Sequence, residues 1–267
     1  MQLNLVGAKT GYLWFRQGLW LFRRNPIGLL LLMLTASFAL LLLTVIPVLG
    51  SAAFFVLLPA VMVAFMVACR DVVLGRPVNP TVLAAGFHLY GKRVARSLLI
   101  LGVICALACA LLFALVAWVG NGAFFDLVLS DNAPSDATLA GANLGVPLAT
   151  LWLGAVPILM LFWFSPVLIA WHDVPPLKAM FFSFVACSRN WAALLVLYLL
   201  WLGVGLASLL LLSLVVSVLD LSWQVLSAAV IPLETLWATA LLCSAYATYR
   251  GSFKAPEDSP GTAPRAP

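Results

Sequence analysis

Glu234 is the only acidic residue that hydropathy places deep inside an apolar stretch, about eleven residues from Trp223 and about thirteen from Ala247. A charged side chain at such a depth costs ~2.5–3.5 kcal/mol on insertion scales, so it is normally paired, hydrated or protonated. No Lys or Arg lies within any apolar stretch to pair with it. Pro232, two residues earlier, removes the N–H that would bond the carbonyl of Ala228, which leaves an acceptor close by. Two roles are open to Glu234: a structural hydrogen bond, or a proton, cation or substrate site within the bilayer. His172 beside Asp173 has the types of a catalytic pair, but no nucleophile stands at matching depth, and Asp173 is expected to cap a helix starting at Pro175. Cys105 and Cys109, at i and i+4 on one helix face, are suited to a soft metal, yet no further ligand is placed to complete a site, so packing is the expected role. Neither H-E-x-x-H, G-x-S-x-G nor a P-loop occurs. The sequence therefore points away from an enzyme and implies neither cofactor nor metal.

The elements that position these residues are membrane helices. With 64% apolar and 9% charged residues, the chain has too little polar surface to dissolve as a globule. Six apolar stretches, at about 26–48, 51–69, 97–119, 147–170, 191–219 and 223–247, each approach or exceed the ~20 residues that a helix needs to cross a bilayer. The fold class is an all-α polytopic bundle, a single membrane domain over about 1–250, with a Pro-rich tail from Gly251 to Pro267 expected to be disordered. The first apolar stretch is too long for a signal-peptide core and lacks a clear cleavage site, so it is expected to remain as an anchor.

All fourteen Lys and Arg lie before span 1, between spans 2 and 3, between spans 4 and 5, or after span 6. Cations flanking a span resist export, so both termini and the two basic loops are expected in the cytoplasm. The net charge of +5 reads as this topogenic signal plus attraction to anionic headgroups, and not as a nucleic-acid surface. None of the five cysteines falls in an external loop, so no structural disulfide is expected.

The order of elements recurs three times as a basic-side amphipathic segment, a span out and a span back, which makes a parallel two-span repeat. Local echoes support it: Arg24-Asn25-Pro26 opens span 1 as Arg189-Asn190-Trp191 opens span 5, and Arg70-Asp71-Val72 closes span 2 as His172-Asp173-Val174 closes span 4. The first amphipathic segment, about 9–24, gathers Lys9, Arg16, Gln17, Arg23 and Arg24 within about 120°, opposite Trp14, Phe15, Gly18, Leu19, Leu21 and Phe22. Such a helix is expected to lie in the headgroup plane, with Lys9, Arg16, Arg23 and Arg24 on headgroups and the aromatic side down. In the second segment, Asn79 and Pro80 precede a polar stripe of Thr81, His88, Lys92 and Arg96. The third carries a small face of Ala179, Ser183, Ala186, Cys187 and Asn190, suited to docking on the bundle. Rows of small residues, Gly102-Ala106-Ala110-Ala114 on span 3 and Ala60-Ala64-Ala68 on span 2, are expected at helix contacts.

The run from Phe164 to Ser183, FSPVLIAWHDVPPLKAMFFS, continuing to Cys187-Ser188-Arg189-Asn190-Trp191, is not generic membrane sequence. Together with the opening Met1 to Val6 and the turn Ile46 to Ser51, it resembles an uncharacterised family of betaproteobacterial six-span inner-membrane proteins, over about 1–250. More distantly, Pro166, Asp173, Pro175, Ala179, Ser183 and Trp191 fill a pattern similar to that of the membrane domain attached to bacterial glycerophosphodiester phosphodiesterases. The catalytic barrel of those enzymes is absent, so the resemblance implies architecture and inner-membrane location and no hydrolytic activity. The expectation is a non-enzymatic binding or assembly protein whose partners are the lipid bilayer and a partner membrane protein or second copy. The alternative is a small-molecule or ion permease using Glu234.

Overall fold

Apolar residues in runs this long leave the backbone no partner but itself, and it winds into helices. A computed structural model describes residues 2–46, 49–84, 90–120, 145–219 and 223–254. Its helices are α1 (Lys9–Arg24), α2 (Pro26–Thr44), α3 (Leu49–Val73), α4 (Gly91–Val119), α5 (Gly145–Phe162), α6 (Ser165–His172), α7 (Pro176–Arg189), α8 (Trp191–Val218) and α9 (Trp223–Ser252), with a 3-10 turn at Pro80–Ala84. Six segments have the length and hydropathy of membrane spans: α2, α3, α4, α5 continued by α6, α8, and Ala228–Ser252 of α9. The all-α polytopic class holds. One antiparallel ladder of two residues per strand, β1 (Gln2–Leu3) with β2 (Phe253–Lys254), ties the two ends of the described chain together.

The buried core is concentrated toward the cation-bearing ends of the helices, hereafter the basic face. Leu29 and Leu32 of α2, Val63 to Cys69 of α3, Leu98 and Leu101 of α4, Val167 to Ile169 of α6 and Cys243 of α9 are all sealed there. Farther from that face, Leu41, Leu111, Leu153, Leu210 and Ile231 are exposed, as lipid-facing side chains of a bundle must be.

Each basic-side segment leans on the spans that precede it in a ring. The 3-10 turn packs on α3 and α2, α7 packs on α5, α6 and α4, and α1 packs on α9 and α8.

Helix α1 departs from the expectation of a helix lying on lipid. Its Gly11, Trp14, Gly18 and Leu21 form one buried stripe, with Trp14 only 1% exposed. A Cβ at Gly11 would stand 2.1 Å from the Ala193 carbonyl oxygen, and one at Gly18 1.9 Å from Ser244 Oγ, so backbones meet where only glycine fits. The aromatic face is thus directed at protein, while Lys9, Arg16, Arg23 and Arg24 are exposed.

The second amphipathic segment is also different. Gly91, with φ +79°, ends the loop, and Lys92 and Arg96 belong to the first turns of spanning helix α4. His88 lies outside the described residues. The small row on α4 makes its close contact at Gly102, where a Cβ would meet the Val56 carbonyl oxygen at 1.9 Å, and Ala106 is half-buried. Ala110 and Ala114 are exposed, because an i, i+4 row turns about 40° per step and leaves the contact. On α3, which packs against several helices, Ala60, Ala64 and Ala68 all stay buried. At the C-terminus, α9 continues to Ser252 and Phe253 is buried, edge-on to Phe164, so order extends four residues past 250. Residues 255–267 lie outside the described residues, as do 121–144 and Asp220.

Candidate functional site at the basic face

The family-like run builds the most specific piece of local structure. Pro166, at the start of α6, cannot donate to the carbonyl four residues back, and the fourth span breaks between α5 and α6. Ser183 of α7 enters the break. Its hydroxyl donates to the Met160 carbonyl (2.7 Å) and accepts from the Phe164 N–H (3.0 Å), two groups that would bond each other in an unbroken helix. Ala179, Ser183, Ala186 and Cys187 are fully buried, so the small face of α7 docks as its composition suggests. Burial pushes the Cys187 thiol up to about 12, only partly offset by Ser183, which leaves it protonated and inert.

Asp173 does not cap α7. It ends α6 in the left-handed region at φ 50°, a conformation Asp tolerates, with its N–H returned to the Ile169 carbonyl at 3.1 Å. Its carboxylate meets Arg93 at 3.1 Å, with both side chains more than half exposed, so the pair contributes at most ~1 kcal/mol. Pro175 and Pro176 open α7, with no side-chain cap. Of the six motif positions, Pro166, Ala179 and Ser183 come together around the break, Asp173 and Pro175 form the adjoining turn, and Trp191 stands apart, exposed at the start of α8.

The last turns of the three returning spans converge on the same face. Arg70 of α3 lies 5.5 Å over the Trp171 ring, Trp171 stands edge-on to Tyr249 of α9 at 5.0 Å, and Trp171 Nε1 donates to the Tyr90 hydroxyl at 2.8 Å. His172 Nε2 and the Tyr249 hydroxyl share a 2.7 Å hydrogen bond. A second junction holds the termini. Asn190, 1% exposed, accepts from the Val6 N–H (3.0 Å) and donates to the Asn4 carbonyl (3.1 Å), while the Asn4 N–H bonds the Ser252 carbonyl (2.8 Å). Aromatic residues and one imidazole placed this way can lock helix ends together. No group of three metal-ligating side chains occurs among the described residues.

Glu234 is far from these junctions. It sits on the exposed side of α9, about 16 Å along the axis from Trp223. Among the described residues its carboxyl meets no cation and no hydrogen-bond donor. On α1, by contrast, the cations are organised: Arg16 lies 5.9 Å from the Tyr12 ring and Arg24 4.5 Å from the Trp20 ring, all four side chains exposed. Sequence reading found the cationic arc of α1 but not the hub of Arg70, Tyr90, Trp171 and Tyr249. Trp171 and Tyr249, which close the second and third returning spans, were its only signal.

The chain is 42% identical, over its whole length and 98% of the other's, to a Burkholderia thailandensis protein named "Probable inner membrane protein". No family model matches it, and no solved structure does.

Proposed function

The chain belongs to the family of that inner membrane protein, and from this premise we propose that it is a non-enzymatic binding and assembly protein that engages anionic lipid through its basic face. A multi-pass inner membrane protein whose cations are all gathered on one face meets anionic headgroups there if that face is cytoplasmic, the orientation we infer from the Lys and Arg distribution. The observation that carries the reading is α1, a helix fixed to α8 and α9 by a buried glycine and tryptophan stripe while Arg16, Arg23 and Arg24 stay exposed beside Tyr12 and Trp20. A rigidly mounted arc of cations over amphipathic rings suits the headgroup layer. The ring order of packing supports the three-fold repeat as part of this proposal, each unit's basic-side segment bracing the spans of the unit before it. Distant kinship with the membrane domain of glycerophosphodiester phosphodiesterases rests on Pro166, Asp173, Pro175, Ala179, Ser183 and Trp191, and is likewise proposed. Glu234, exposed and without a cation or hydrogen-bond donor among the described residues, gives no support to a permease path.

Reconstitution into vesicles of mixed phosphatidylglycerol and phosphatidylcholine tests the reading. Lipids retained by the purified chain are expected to be enriched in phosphatidylglycerol, and the enrichment to fall when Arg16, Arg23 and Arg24 are changed to Gln. Retention without preference, together with a proton or cation flux that Glu234→Gln abolishes, would replace this reading with the permease.

A further inference from the structure

A half-open cleft of about 660 Å³ lies between α1, the start of the chain and the last turns of α3 and α9, and Thr10, Gln17, Trp20, Leu21, Tyr246 and Arg250 are among its walls. Its size is that of a small-molecule site, ~300–1,000 Å³. Its polar lining is made by Thr10, Gln17 and Arg250. Leu13 and Trp20, which alternate with Thr10 and Gln17 along α1, are about half exposed, so apolar surface continues from the cleft onto the outside of the bundle. A ligand with one anionic and one apolar end matches such walls.

Charge gives the second observation. The described residues contain two ion pairs, Arg76 with Asp71 and Arg93 with Asp173. Among the described residues, three cations around the cleft have no carboxylate: Arg250, in its wall and hydrogen-bonded to Tyr246, Arg24, stacked on the Trp20 ring, and half-buried Arg70, near Tyr246. Arginine forks suit phosphate, and a cation held near low-dielectric walls gains most from an anion that joins it. Resting on the lipid-engaging function argued above, we propose that this cleft is a discrete seat for one anionic phospholipid, its phosphate on Arg250 with Gln17 and Thr10, and its glycerol and upper acyl carbons along Trp20 and Leu13.

The test is native mass spectrometry of the full chain in detergent, titrated separately with phosphatidylglycerol, phosphatidylcholine and soluble glycerol 3-phosphate. One phosphatidylglycerol per chain is expected to bind at least ten-fold more tightly than phosphatidylcholine. Arg250→Gln should weaken it at least ten-fold at an unchanged melting temperature, and Trp20→Ala should weaken it too, while Lys178→Gln on distant α7 leaves it unaltered. Phosphatidylglycerol binding that survives Arg250→Gln but falls with Arg16→Gln and Arg23→Gln would overturn the cleft and leave the broader function standing. Absence of any preference for phosphatidylglycerol would overturn both. Binding of glycerol 3-phosphate as tight as that of the lipid, with the same dependence on Arg250, would overturn the lipid assignment in favour of a soluble phosphate ester.

Discussion

If α1 is docked rather than floating, adding one methyl group at each of its two buried glycines must push it off. In Gly11→Ala the new Cβ would lie 2.1 Å from the Ala193 carbonyl oxygen, and in Gly18→Ala 2.8 Å from the Ser244 Cα. Neither neighbour is the free end of a flexible side chain, so α1 must move outward by about 1 Å at Gly11, and overpacking of this kind costs ~1–3 kcal/mol per site. Alanine returns ~1 kcal/mol of helix propensity at each. The two sites are about 10 Å apart along the axis, so their effects add, to a net loss of about 2 kcal/mol for the double variant. Since each ~1.4 kcal/mol is ten-fold, amide exchange of α1 should speed up about thirty-fold, with Phe15 and Trp201, now 5.0 Å apart, separating. Gly203→Ala, where a Cβ meets nothing within 4 Å, is the control and should leave α1 unchanged. Exchange in α1 that stays the same or slows in the double variant would mean a free amphipathic helix that gained propensity, and the docked geometry would be wrong.

Ser183→Ala removes the hydroxyl that bridges Met160 and Phe164, and is expected to lower stability by ~1–3 kcal/mol in a detergent melt; a change below ~0.5 kcal/mol would mean that the broken span heals itself. Cys187 should resist maleimide at pH 8 in the folded chain and react once denatured, and labelling of the native chain would contradict its burial. Because its folded value is raised from 9.0 to about 12, the stability it lends is complete below pH 9 and is lost as pH rises through the window from 9 to about 12.

The spans were legible because about twenty apolar residues in a row admit one structure in a bilayer. The break in the fourth span was not, since Pro166 fits a straight first turn as well as a kink, and the partner that decides, Ser183, is supplied by the next helix. Asp173 was misread for a related reason: Asp is at home both before a helix and in the left-handed residue that ends one, and the two prolines after it hide which helix it serves. On α1 the apolar face was readable but its partner was not, because lipid and protein both accept Trp14 and Leu21. Gly11 and Gly18, seven residues apart on that stripe, were the available sign of a close backbone neighbour. The cleft had no such sign, because Asn4, Gln17, Val73 and Arg250 meet only through the closure of the ring.

The account stands on the basic face being the cytoplasmic one, where anionic lipid and the exposed arginines of α1 would meet. Paired reporter fusions measure this directly: those after Ala133 and Asp220 should read outside, and those after Arg76 and Pro267 inside. An outside signal at Arg76 would contradict it.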